Sequence, residues 1–110
     1  MMGSTSKHWL VLRFAALPLV PLAVYFATQL EHIASADRLA FISWLQEPTP
    51  AVTVPIFLAC AFYHACLGMQ EIIEDYARDG AKHTLFLLNT AFFAALAALS
   101  ALALYKVYAQ

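Results

Sequence analysis

The sequence predicts an all-α integral membrane protein, three spanning helices packed in a bundle, and three observations predict it. Of the 110 residues, 63% are hydrophobic and only 12% charged, against roughly 25% charged in a soluble domain. Mean hydropathy is +0.70. Three stretches, Phe14 to Leu30, Pro48 to Gln70 and Thr84 to Tyr105, carry no formal charge, and each is about the length a helix needs to cross ~30 Å of hydrocarbon. With their flanks these give spans over about residues 9–30, 48–74 and 84–106 of a single membrane domain, residues 1–110. A net charge of −1 leaves no basic excess to hold nucleic acid and no acidic tail.

The first span begins near Lys7 or His8. Trp9 suits a membrane interface, and the long side chain of Arg13 can snorkel towards it. Lys7, the apolar run and "IASA" at 33–36 imitate a secretory signal, but Pro18 and Pro21 interrupt the run and Glu31 and His32 crowd the cleavage site. A retained span kinked at its prolines is the expectation. "EHIASADRLAFISWLQEPTP" reads as a plain connecting loop, with "FISWL" the one part able to lie along the interface.

The second span carries Cys60 and Cys66, six positions apart and so on different faces of one helix, where they pack rather than pair. Cys60 and His64 lie one turn apart, too few donors for a metal site. The third span has Ala94, Ala98 and Ala101 at close-packing spacing. Its one amide, Asn89, is expected to bond across to a neighbouring helix. Lys7, Arg13, Arg78 and Lys82 sit at the amino terminus and in the second loop, against Arg38 and Lys106 on the opposite side. The positive-inside rule therefore puts the amino terminus in the cytoplasm and the carboxyl terminus outside.

The chemistry concentrates in "HACLGMQEIIEDY". On a continuous helix His64, Gly68, Glu71 and Asp75 fall at i, i+4, i+7 and i+11 and share a stripe. An imidazole in hydrocarbon must find a partner, because an unpaired polar group there costs on the order of several kcal/mol. Three partners remain open: a haem iron, with Gly68 leaving room for a flat macrocycle, a carbonyl or serine of an adjacent helix, or a proton relay. Asp75 and Tyr76 point about 100° apart. They serve neighbouring surfaces, either as a hydrogen-bonding and protonatable pair for a lipid-soluble ligand or as a solvated charge beside an aromatic-belt tyrosine. His8, His32 and His83 flank the spans, so a second buried histidine would have to come from another chain.

In these residues the chain resembles the small hydrophobic membrane anchor of succinate dehydrogenase. The resemblance rests on His64, Gly68, Asp75 and Tyr76 at H-x3-G-x6-D-Y spacing, supported by "HWLVLRFAALPLVPL" with Arg13 and by "ISWLQEP". It implies a noncatalytic subunit of the bacterial inner (cytoplasmic) membrane, amino terminus cytoplasmic and carboxyl terminus periplasmic. Its implied partners are a second anchor subunit of cytochrome b type, an iron–sulfur subunit and a flavoprotein subunit. Electrons from succinate would pass through FAD and iron–sulfur clusters of those partners to ubiquinone. His64 is implied as an axial ligand of haem b, with Gly68 beside the cofactor and Arg13 near a haem propionate or the quinone pocket. Tyr76 is implied to hydrogen-bond a quinone carbonyl, and Asp75 to order that site and its protonation. A fumarate reductase anchor carries the same features. From another class, a small transporter or proton-conducting oligomer would use His64 and Asp75 as relay groups.

Overall fold

A computed structural model describes residues 2–110, with side chains from Lys7 onward apart from His8. Five helices follow one another: α1 (Met2–Ala16), α2 (Leu19–Ser35), α3 (Arg38–Gln46), α4 (Pro48–Tyr76) and α5 (Asp79–Tyr108). No strand occurs among the described residues. Three continuous apolar segments, Trp9–Ser35, Pro48–Tyr76 and Asp79–Tyr108, are long enough to cross a membrane. The helix α4 packs against each of the other four.

The first span is two helices separated at Leu17 and Pro18, which is the expected proline kink. Pro21 has no N–H to give the Leu17 carbonyl four residues back, and that carbonyl accepts from Val20 N at 3.4 Å instead. The tighter turn redirects the chain without ending the span.

Residues 38–46 are not the plain loop read from the sequence. They form α3, a nine-residue helix. The Asp37 carboxylate accepts from Ala40 N at 2.8 Å, an N-cap that pairs one of the otherwise unsatisfied first-turn amides. Trp44 (4% exposed) and Leu45 are buried. Trp44 Nε1 donates to Gln29 Oε1 at 3.2 Å, and its ring meets Phe26, which in turn packs on Phe57 at 4.9 Å. This aromatic cluster joins α2, α3 and α4 at one end of the bundle.

That end is also tied to the last turn of α5. Gln46 Nε2 donates to the Val107 carbonyl at 2.8 Å, and the Tyr108 hydroxyl donates to the Ala51 carbonyl at 2.8 Å. The second bond has a covalent cause: Pro55, inside α4, has no N–H for the carbonyl four residues earlier, which is Ala51. Tyr108 supplies the missing donor.

At the other end α4 stops at Ala77, whose N–H reaches the Ile73 carbonyl at 2.9 Å, and α5 restarts at Asp79. Asp79 lies in the first turn, where a negative charge favours the helix dipole, and pairs with Lys82 at 3.5 Å. Midway along the α4–α5 seam, Asn89 (8% exposed) donates to the Cys66 carbonyl at 3.0 Å. This is the cross-helix bond expected of the lone amide. Both cysteines are free, and Cys66 Sγ additionally lies 3.5 Å from Asn89 Nδ2.

Candidate functional site

The stripe read from the sequence lies on one unbroken helix, since α4 runs through Tyr76. At 1.5 Å per residue, His64 is ~16 Å from Asp75 along the axis. His64 is half-buried in the apolar part of the span, and its Nδ1 is enclosed with no hydrogen-bond partner. None of the described helices offers it a carbonyl or a serine. Among the described residues, no hydrogen bond to Nδ1 supports the reading of His64 as a satisfied packing histidine.

Arg13 joins His64 from α1. Both border an apolar cleft of about 640 Å³ whose remaining walls include Trp9, Leu10, Phe14 and Leu17. Its volume falls within the roughly 300–1,000 Å³ of small-molecule sites. The Arg13 guanidinium carbon sits 4.3 Å from the centre of the Trp9 ring. These residues are four apart and therefore on one face of α1. Arg13 thus reaches back over the aromatic face of Trp9, one turn nearer the amino-terminal end of the span, the direction in which a snorkelling arginine extends. The pairing signal in the sequence was the W-x3-R spacing.

Gly68, one turn beyond His64, is not a close-packing glycine within this chain: a Cβ built there meets no heavy atom within 4 Å. The backbone is open to an approaching group. Asp75 and Tyr76 end the helix fully in the open, Tyr76 with 84% of its surface exposed. They do not border the His64 cleft. The structure brings Arg13 and His64 together, aligns Gly68 with them, and leaves Asp75 and Tyr76 as a separate pair at the helix end.

Chemically the first group offers an imidazole with an unpaired Nδ1, an apolar slot and a cation. The second offers a phenol that can donate to a carbonyl oxygen and a carboxylate that can exchange protons with water. Among the described residues, no cluster of three or more His, Cys, Asp or Glu side chains is arranged to hold a metal ion.

The family model for the succinate dehydrogenase/fumarate reductase transmembrane subunit matches residues 2–103. A succinate dehydrogenase hydrophobic membrane anchor subunit of Rickettsia bellii is 34% identical over 73 residues, covering 66% of this chain and 58% of the relative. The subunit of the same name in Rickettsia felis is 33% identical over 78 residues, 67% of this chain and 62% of the relative. The Rickettsia conorii subunit is 32% identical over 74 residues, 66% of this chain and 59% of the relative. The chain thus spans about three fifths of the length of the curated relatives it matches. No solved structure matches. With three apolar spanning helices and a match over nearly its whole length, the chain belongs to the succinate dehydrogenase/fumarate reductase transmembrane subunit family.

Proposed function

We propose that this chain is a membrane anchor of succinate dehydrogenase in the bacterial inner membrane, contributing one wall of a haem b site and one wall of a ubiquinone site. A second anchor subunit completes both. An iron–sulfur subunit and a flavoprotein subunit dock on the cytoplasmic face, next to the α4–α5 turn and the amino terminus. FAD and iron–sulfur clusters reside in those two partners.

The observation that carries the reading is His64, a half-buried residue whose enclosed Nδ1 has no hydrogen-bond partner and which borders an apolar cleft that also presents Arg13. These residues fit a haem. The imidazole supplies a nitrogen ligand, the open backbone at Gly68 admits a flat ring, and a guanidinium suits a propionate carboxylate. Haem b, when bound, would supply a one-electron carrier. His64 would hold and orient it, Arg13 would balance its anionic edge, and the apolar walls of the cleft would exclude water.

Reduction of ubiquinone takes up two electrons and two protons, so its site must touch both lipid and water. Tyr76, at the end of α4, donates a hydrogen bond to a quinone carbonyl and fixes the head group. Asp75, exposed beside it, relays protons from the cytoplasmic side. Tyr76 and Asp75 touch neighbouring surfaces, as adjacent positions on a helix must.

The test is a reduced-minus-oxidised optical spectrum of the complex purified with its partner subunits, wild type beside His64→Ala. A b-type signal in wild type that is lost or shifted in the variant is the expected result. An unchanged spectrum in the variant would remove His64 as the ligand. The family description also embraces fumarate reductase; the ratio of succinate oxidation to fumarate reduction by the same preparation assigns the direction of electron flow.

A further inference from the structure

We propose that Trp9 is a positioning residue: its ring holds the Arg13 guanidinium at the His64 cleft, with the guanidinium edge free for a carboxylate. The inference rests on the haem reading above and deepens it. Three observations carry it. Arg13 and Trp9 border the same cleft as His64. The guanidinium carbon lies over the Trp9 ring at 4.3 Å. The structure shows no ion pair between Arg13 and a described carboxylate, and the Lys82–Asp79 pair lies away from it at the α4–α5 turn.

A guanidinium within an apolar span is strongly drawn to the water interface. An aromatic face offsets that pull by attracting the cation through the ring quadrupole. It does so without consuming the in-plane N–H donors, which form the fork that pairs with carboxylates in two parallel bonds. A carboxylate partner for Arg13 on the protein would occupy that fork. The tryptophan keeps the cation in place and leaves its hydrogen-bonding edge for a bound anionic group.

Two measurements on the assembled complex test this, with Trp9→Phe, Trp9→Leu and Arg13→Gln. The first is the rate at which phenylglyoxal modifies Arg13, read by mass spectrometry, which needs no haem. Trp9→Leu should speed modification severalfold and Trp9→Phe less, because the released side chain reaches water. Equal rates in all three Arg13-containing forms would overturn the proposal. The second is the midpoint potential of the haem. Loss of a nearby cation favours the oxidised form, so the potential should fall in the order wild type, Trp9→Phe, Trp9→Leu, and Trp9→Leu should add nothing to Arg13→Gln. A Trp9→Leu effect that persists in full without Arg13 would show simple packing and overturn it. A wild-type complex without haem would sink the haem reading, while the labelling rates would still decide the Trp9–Arg13 contact.

Discussion

His64 and Tyr76 stand on the same helix and differ in kind, one half-buried with an enclosed, unpaired Nδ1, the other 84% exposed. That difference separates the experiments that probe them. Removing the Tyr76 hydroxyl takes away nothing the described fold uses, since no hydrogen bond among the described residues involves it. Surface changes of this sort alter stability by less than about 0.5 kcal/mol. Tyr76→Phe should therefore leave complex assembly and succinate oxidation by an artificial dye intact while lowering quinone reduction at least tenfold, measured as the ratio of the two activities. A parallel fall in both would move Tyr76 from the quinone to the scaffold. Asp75→Asn should also lower quinone reduction, with the loss growing as pH rises if the carboxylate hands on protons that become scarce. A loss independent of pH would make Asp75 a purely structural partner. At this scale the site was half legible in the sequence. The H-x3-G-x6-D-Y spacing gave the shared stripe, because helical period alone decides which residues of α4 align. The partnership of His64 with Arg13 depends on how α1 lies on α4, and no periodicity within one helix encodes that.

Helix α4 is interrupted chemically at Pro55 and repaired from α5. The Ala51 carbonyl, left without its usual donor, takes the Tyr108 hydroxyl at 2.8 Å. Tyr108→Phe should destabilise the bundle by about 1 kcal/mol, a typical net hydrogen-bond contribution. Pro55→Ala restores an N–H four residues from Ala51, so the loss on Tyr108→Phe should shrink in that background. Thermal denaturation of the four variants in detergent gives the coupling directly, and additive losses would show that Tyr108 acts through packing alone. The long helices were legible because uninterrupted apolar length is the strongest signal a membrane sequence carries. Helix α3 was not. Its nine residues are too few to display a period, and its stability comes from the Asp37 cap and from Trp44 seated among Gln29, Phe26 and Phe41. The cap was present in the sequence as an aspartate before a short apolar run, a signal that becomes decisive only when the tertiary pocket for Trp44 exists.

Viewed whole, the molecule has two unlike ends. The aromatic cluster of α3 and the locked last turn of α5 close one of them through Gln46, Tyr108 and buried Pro50. At the other, α1 begins and α4 turns into α5 among Arg78, Asp79 and Lys82. Three crossings put the amino terminus and the α4–α5 turn on one side of the membrane and α3 with the carboxyl terminus on the other. Four of the six basic residues, Lys7, Arg13, Arg78 and Lys82, belong to the first side. The excess favours that side as cytoplasmic, where Tyr76 and Asp75 would meet an electron-donating partner and a supply of protons. A carboxyl-terminal alkaline phosphatase fusion should accordingly be active, and a fluorescent-protein fusion that matures only in the cytoplasm should be dark. The bias is carried by few charges, so Arg78→Gln with Lys82→Gln should lower phosphatase activity by admitting a fraction of inverted chains. Because Asp79 would lose Lys82 at the same time, Lys82→Gln alone serves as the control for that solvent-screened ion pair. A bright carboxyl-terminal fluorescent fusion in the unmodified chain would invert the topology. It would then carry Tyr76 to the periplasmic face, away from any cytoplasmic flavoprotein, and the quinone assignment would fall with it.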